Sequence, residues 1–250
     1  MTAAVQPDLT GHVELPWHRG PLASYDCETT GLNTATDRIV TAALVRTNGD
    51  VRRWLSDLDG AEIPAGAYEK HKVSTEHARA HGRPAKEVVE EIADAIAGEL
   101  SAGKAALVVM NAPFDLPLLD AECARHGVPT VAQRIGHPIA PVIDPLVLDR
   151  AADKYRPGKR SLEALAVHYG VTLTDAHQAD ADAQAALDVA LAIAEQHEKL
   201  RVPARVLHGW QVQWHEKWAA NYQAFLRRGG KSTAVVDGSW PLRPVEAGGE

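Results

Sequence analysis

Five side chains in three short segments could do chemistry together: Asp26 and Glu28 in YDCETTG, Asp115 in NAPFD, and His177 with Asp182 in HQADAD. Asp26 and Glu28 stand two apart, and on a strand such residues share a face while Tyr25 and Cys27 take the other. Two carboxylates held together repel unless a cation lies between them or one is neutralised. Taken alone, the pair reads equally well as a solvated strand end entering the turn Thr29-Thr30-Gly31. Asp182 changes the balance. It shares a helical stripe with Ala179, Ala186, Val189, Ala190 and Ile193, so a helix turns an acid toward the sheet. A buried carboxylate without a partner is costly. His177, just before that helix, reaches the same locality. Asp115 falls in the first turn of another helix, directly after a strand. A helix N-terminus stabilises one such acid, but it does not explain three segments converging.

Hard oxygen ligands without cysteine suit Mg²⁺ or Mn²⁺ better than zinc. Two such ions can clamp the attacking and leaving oxygens of a phosphodiester. A histidine, titrating near neutrality, can take the proton from the attacking water. The chemistry implied is phosphodiester hydrolysis.

The elements that must position these groups are legible in outline. Strands are expected at Leu22–Glu28, within Asp37–Asn48, and at Val51–Leu58, with Asn48-Gly49 as the hairpin turn between the last two. Pro84 opens a helix with an apolar stripe of Val88, Val89, Ile92, Ile96 and Leu100. A strand at Ala105–Met110, a helix at Pro113–His126, a strand at Ile139–Asp144, and helices at Ser161–Tyr169 and Ala179–Leu200 follow. Hairpin-joined strands followed by alternating helix and strand predict an α/β fold: a mixed five-stranded sheet with helices on both faces. The expected organisation is a polar lead-in over 1–20, a domain over 21–200, and a Trp-rich helical tail over 201–250.

The bulk numbers restrict the function classes. The chain has 250 residues, 45% hydrophobic and 24% charged, with 5% aromatics, so Ala, Val, Leu and Ile must build much of the core. The start shows no secretory pattern, and no stretch is apolar enough to span a membrane. Two cysteines, Cys27 and Cys123, form no metal-type pair and fit a reduced, cytoplasmic setting. The formal net charge of −7 argues against tight non-specific duplex binding. It leaves a nucleic-acid enzyme open, since acids that hold cations enter the sum as negative.

DCETTG, NAPFD and H-x-x-x-x-D together resemble the three motifs of the DEDDh 3′–5′ exonucleases, whose fold is ribonuclease H-like, over roughly residues 17–200. Among members, the sequence looks most like the epsilon-type proofreading subunits of DNA polymerase III. The resemblance implies that Asp26, Glu28 and Asp182 hold one metal ion, that Asp26 and Asp115 hold a second, and that His177 is the general base. It implies two Mg²⁺ ions, with Mn²⁺ as a substitute. Thr29, Thr30, Gly31 and Leu32 would meet the terminal nucleotide, Leu32 as a wedge, and Asn111 and Phe114 would order the second motif and line the cleft. The implied reaction releases 5′-mononucleotides from nucleic acid 3′ ends, with single-stranded DNA favoured. The sequence departs from the pattern at Met110, where a histidine is common, at Lys72, where a glycine is common, and at Asp180, which adds a carboxylate between His177 and Asp182.

Other readings stand beside this one. An RNA exonuclease, similar to oligoribonuclease or ribonuclease T, differs in how the 2′-position is treated, which the sequence does not show. A non-catalytic binding module would not need the intact set of acids, and a small-molecule phosphoesterase shares only the metal chemistry. Lys154, Arg156, Lys159 and Arg160 form a basic loop that leans toward substrate contact. His71, His77 and His81 read as surface or capping histidines rather than a zinc site. Leu207, Trp210, Trp214, Trp218 and Tyr222 form a helical stripe, which either packs back on the domain or docks a partner such as a DNA polymerase.

Overall fold

The computed structural model describes residues 14–242, so most of the lead-in, 1–13, and the last residues of the tail, 243–250, lie outside the described residues. Strand β1 (Leu22–Thr29) pairs antiparallel with β2 (Ile39–Arg46), which pairs antiparallel with β3 (Val51–Leu55). On its other side β1 runs parallel to β4 (Ala106–Val108), and β4 parallel to β5 (Val142–Ile143), giving the order β3-β2-β1-β4-β5. This is the expected mixed five-stranded sheet. At the hairpin Gly49 takes φ 90°, a conformation open to glycine, and Asn48 and Asp50 close the turn on each other.

Alternation along β1 sorts the core. Ala23, Tyr25 and Cys27 face one cluster with α3 (Ala85–Leu100) and α4 (Ala112–His126). Leu22 faces the other, with α6 (Pro145–Ala152), α7 (Leu162–Tyr169) and α8 (Ala179–Gln196). Helix α8 buries Ala183, Ala186, Ala190 and Ala194 on that side. These side chains are small, so the helix lies close to the sheet, and an acid on the same stripe is carried inward. No helix among the described residues is long and apolar enough to cross a membrane.

Several expected elements are shorter. Strand β3 stops at Leu55 because Ser56 bridges to Arg83 and the chain then turns through Leu58 and Asp59 at positive φ. The strand expected at Ala105–Met110 keeps three residues, and the one at Ile139–Asp144 keeps two. Pro141, lacking an N–H, precedes β5, and Asp144 after it already caps a helix. The helix expected to reach Leu200 ends at Gln196. Four short helices had not been expected: α1 (Ala65–His71), α2 (Thr75–His81), α5 (Val131–Ile135) and α6. Their starts were nonetheless written: Ser74 caps α2, Thr130 and Gln133 form a capping box for α5, and Asp144-Pro145 opens α6.

The ends of the described chain fold back on the sheet. Trp17 is buried, and its indole donates to the Leu200 carbonyl at 2.9 Å. The Trp-rich stripe lies on α9 (Ala204–Arg228), which packs against β5 and α6. Gln211 there is fully buried: its Oε1 accepts from the Asp144 N–H at 2.7 Å and its amide donates to the Val142 carbonyl at 2.9 Å. The helix thus satisfies backbone groups of an edge strand too short to satisfy them itself. Replacing Gln211 with Leu leaves a buried N–H and carbonyl unpaired. Unfolding in urea should show a loss of about 2 kcal/mol, and an unchanged midpoint would mean that α9 does not brace β5.

Candidate active site

Asp26 and Glu28 point from β1 toward the α8 face, where Asp182 lies in the first turn of α8. His177 precedes that helix in a left-handed conformation, φ 69°. Its N–H donates to Asp182 Oδ2 at 3.1 Å, and its ring Nε2 stands 3.9 Å from Glu163 Oε1. Ligand-type atoms of Glu28, His177 and Asp182 lie within 4.8 Å of one another. Asp115 arrives from the opposite face, at the start of α4, and is 4% exposed. Its Oδ1 accepts from both the backbone N–H and the thiol of Cys27, each at 3.3 Å. Cys27 was expected merely to face away; it holds the acid that comes from that side.

The electrostatics are those of crowded acids. Desolvation pushes the Asp26 carboxyl well up, and repulsion from Asp115, Asp182 and Glu28 adds to it. Glu28 is raised by desolvation and Asp182, against a pull from His177 and Lys70. Asp182 is raised by burial, against the His177 N–H and ring. Asp115 is pushed up to about 7 by desolvation, even though the Cys27 bonds pull it down. Burial and the same carboxylates drive the Cys27 thiol up, so it remains a donor and offers no thiolate. Asp182 Oδ1 is buried with no hydrogen-bond partner among the described residues. An orphaned carboxylate oxygen, neighbouring acids and an imidazole fit a hard divalent cation.

The turn after β1 is built tightly. Thr29 Oγ1 donates to the Gly31 carbonyl at 2.6 Å, and Thr30 Oγ1 donates to Asp37 Oδ1 at 3.0 Å. A Cβ on Gly31 would lie 2.5 Å from Asp37 Oδ2, which also accepts from the Asn33 N–H, so a side chain there displaces the carboxylate that shapes the turn. Leu32 is 78% exposed beyond it. Phe114 is half-buried. Asn111 occupies the N-cap of α4 at φ 60°, but its side chain makes no capping bond.

The group that orders the second motif is one the sequence reading passed over. Asp144 is fully buried, and its carboxylate accepts from the N–H groups of Asn111, Ala112 and Leu146 and from the Trp240 indole, all between 2.9 and 3.1 Å. The signal was the Asp-Pro step; its contact with residues far away in sequence had none. His71 also differs from expectation. It is 6% exposed, its Nδ1 accepts from the Val73 N–H, and it lines a cleft of roughly 380 Å³ with His177 and Trp54. Burial lowers it, while the neighbouring Thr29 backbone pulls the other way. Asp180 is taken by Arg53 at 2.6 Å. In the basic loop, Arg156 and Arg160 both pair with buried Asp149, which leaves Lys154 and Lys159 for other contacts.

Residues 24–190 match the family described as Exonuclease, RNase_T. The DNA polymerase III PolC-type protein of Streptococcus thermophilus is 31% identical over 165 residues, 64% of this chain and 10% of that protein. The PolC-type protein of Streptococcus agalactiae is 29% identical over 183 residues, 72% of this chain and 11% of that protein. The chain therefore spans about a tenth of the length of these curated relatives. Exonuclease I of E. coli with a dT13 oligonucleotide has a similar fold, with a TM-score of 0.62 and 22% identity over 73% of this chain and 42% of that one. Exonuclease I of Methylocaldum szegediense gives 0.60 and 22% over 72% and 42%. With two thirds of its length matched to the family and this fold beneath it, the chain belongs to the RNase_T exonuclease family.

Proposed function

We propose that the chain is a divalent-metal-dependent 3′–5′ exonuclease that releases 5′-mononucleotides from single-stranded DNA. The observation that carries this is the meeting of Asp26, Glu28, Asp182 and His177 on one side of β1, with Asp115 entering from the other. Asp26, Glu28 and Asp182 would hold one cation, and Asp26 with Asp115 a second, with Mg²⁺ or Mn²⁺ matching the donors. Bound there, such ions supply charge neutralisation for an in-line displacement at phosphorus. His177, 43% exposed at its side chain, can take a proton from water on the open side. The Thr29–Leu32 turn would seat the last nucleotide, with exposed Leu32 beside its base and half-buried Phe114 lining the cleft with Asn111.

DNA is favoured over RNA because the solved relatives of similar fold include exonuclease I bound to DNA oligonucleotides. A polymerase-linked editing role is the second reading, and the PolC-type relatives favour it. Free, buried Cys27 and Cys123 suit a reducing, cytoplasmic setting.

A 5′-labelled single-stranded DNA oligonucleotide with Mg²⁺ should shorten from its 3′ end, and chelator should stop it. His177→Ala and Asp26→Ala should each slow the ladder by at least about 100-fold. A matched RNA run beside it tests the sugar: faster loss of RNA would move the reading to an RNA exonuclease, and an intact ladder in Mg²⁺ and Mn²⁺ alike would remove the enzyme. A second expectation concerns stability. Asp182→Asn keeps an acceptor for the His177 N–H but removes one charge from the cluster. In chelator it should melt roughly 2–4 °C higher, the change that about 1 kcal/mol brings in a chain of this size. The rise in melting temperature that Mn²⁺ gives the parent should shrink. A variant that melts lower in chelator would show that the acids do not strain the fold.

A further inference from the structure

Most arginines of this chain are neutralised at home: Arg46 by Glu99, Arg53 by Asp180, Arg83 by Glu87 and Glu91, Arg125 by Glu122, and Arg156 and Arg160 by Asp149. A different pattern holds between α6 and α9. There a groove of roughly 730 Å³ is lined by Arg150, Lys154, Lys199 and Lys217 together with Trp210, Trp214 and Trp218. None of these four cations has a carboxylate in an ion pair among the described residues. The three lysines are exposed and the three tryptophans half-buried. In a chain of net charge −7, this is a concentration of unpaired positive charge over an aromatic floor.

The aromatic rings are ordered. Arg150 sits over Trp218, its guanidinium carbon 3.6 Å from the ring centroid. Trp218 stacks on Tyr222, centroids 5.5 Å apart and planes within 15°, and Tyr222 on Phe225 at 6.3 Å and 14°. Tyr222 is 42% exposed and Phe225 61%, so the ladder runs out of the groove along the open face of α9. A stacked guanidinium keeps its N–H edges free for two oxygens of an anion such as a phosphate.

We propose that this groove is an exosite for single-stranded nucleic acid, with the lysines and Arg150 on phosphates and the exposed outer rungs of the ladder, Tyr222 and Phe225, against bases. Cationic grooves interleaved with aromatic platforms bind single strands without regard to sequence. Duplex fits less well, because its bases are stacked inward. The site is not the catalytic one. Asp182 lies in the first turn of α8, whereas Lys199 lies beyond its last residue, and the helix from Asp182 to Gln196 spans about 21 Å. That distance takes on the order of six nucleotides at the rise of a stacked strand. The exosite would therefore hold the upstream part of a strand whose 3′ end is being cut, or a strand not being cut at all. The first of these uses rests on the exonuclease reading; the binding itself does not.

The test uses the full chain in chelator, with oligo(dT) of about twenty nucleotides as probe and quenching of tryptophan fluorescence as readout. The expected result is salt-sensitive quenching. In a variant carrying Arg150→Gln, Lys199→Gln and Lys217→Gln, affinity should fall at least about 10-fold and the salt slope by about 2, the loss of three single-strand phosphate contacts. Because Arg150 is half-buried, the Lys199→Gln, Lys217→Gln pair, both exposed, is run beside it and should show a proportionate part of that loss. Cleavage of a tetranucleotide, too short to span both sites, should be unchanged in the lysine pair. Equal affinity and slope in parent and variants would overturn the exosite even if the parent degrades DNA. Quenching by poly-glutamate but not by oligo(dT) would also overturn it, and would make the groove a dock for an acidic protein segment. If the parent cuts neither the tetranucleotide nor the longer oligonucleotide in Mg²⁺ or Mn²⁺ yet binds oligo(dT) through these cations, the exonuclease reading fails and the exosite stands.

Discussion

Mutual repulsion of carboxylates at the end of β1 is the constraint around which this molecule is arranged. Asp26 feels Asp115, Asp182 and Glu28, and burial sharpens each of those contacts. Left to themselves the groups would separate or take up protons. The fold denies them the first option. Strand β1 is paired with β2 from Ala23 to Thr29 and anchored on its other edge to β4 over Leu22–Ser24, so Asp26 and Glu28 cannot retreat. Helix α8 approaches on alanines and brings Asp182 with it. Helix α4 is pinned at its first residues by Asp144, and Asp115 is fixed again by Cys27. A cation is then the natural means of relieving the repulsion, and the chain belongs to an exonuclease family, whose reaction is the cutting of phosphodiesters.

Asp144 shows how far the support for that site extends. One carboxylate ends β5, caps α6, fixes the entry to α4 and receives the indole of Trp240, while its own N–H goes to Gln211 on α9. Burial raises this group, but four donors stabilise its charge and offset much of that cost. The segment beyond residue 200 is in this respect continuous with the scaffold of the second motif. It buries one side of α9 through Leu207 and Gln211 and leaves Tyr222 and Phe225 to solvent on another. Packing back on the sheet and offering a surface are therefore not alternatives for this helix: different faces do each.

Charge is distributed by the same economy. Acids gather at the end of β1, and most arginines are paired with carboxylates of the same fold, two of which, Glu122 and Asp149, are buried. Asp149 alone takes up Arg156, Arg160 and the Tyr169 hydroxyl. This removes two cations from the basic loop and turns a stretch that looks like a phosphate contact into a structural knot. Between α6 and α9, beside the tryptophans, Arg150, Lys154, Lys199 and Lys217 have no such partner among the described residues.

The sequence by itself determined the sheet and the composition of the site. Asp26 and Glu28 share a face because strand side chains alternate, and Asp182 lies on an alanine stripe because helical period is local; both rules need no neighbours. The Asn48-Gly49 turn and the helices at 85–100, 112–126 and 179–196 are local in the same way. Tertiary structure decided which acid meets which donor. Cys27 on the far face of β1 reaches Asp115, Asp144 rather than the Asn111 side chain orders α4, Asp180 goes to Arg53, and His71 is buried beside Thr29. None of these pairs is fixed by spacing along the chain. Each partner lies on an element whose position is set by packing, and a polar group buried by that packing takes whatever donor or acceptor it finds there.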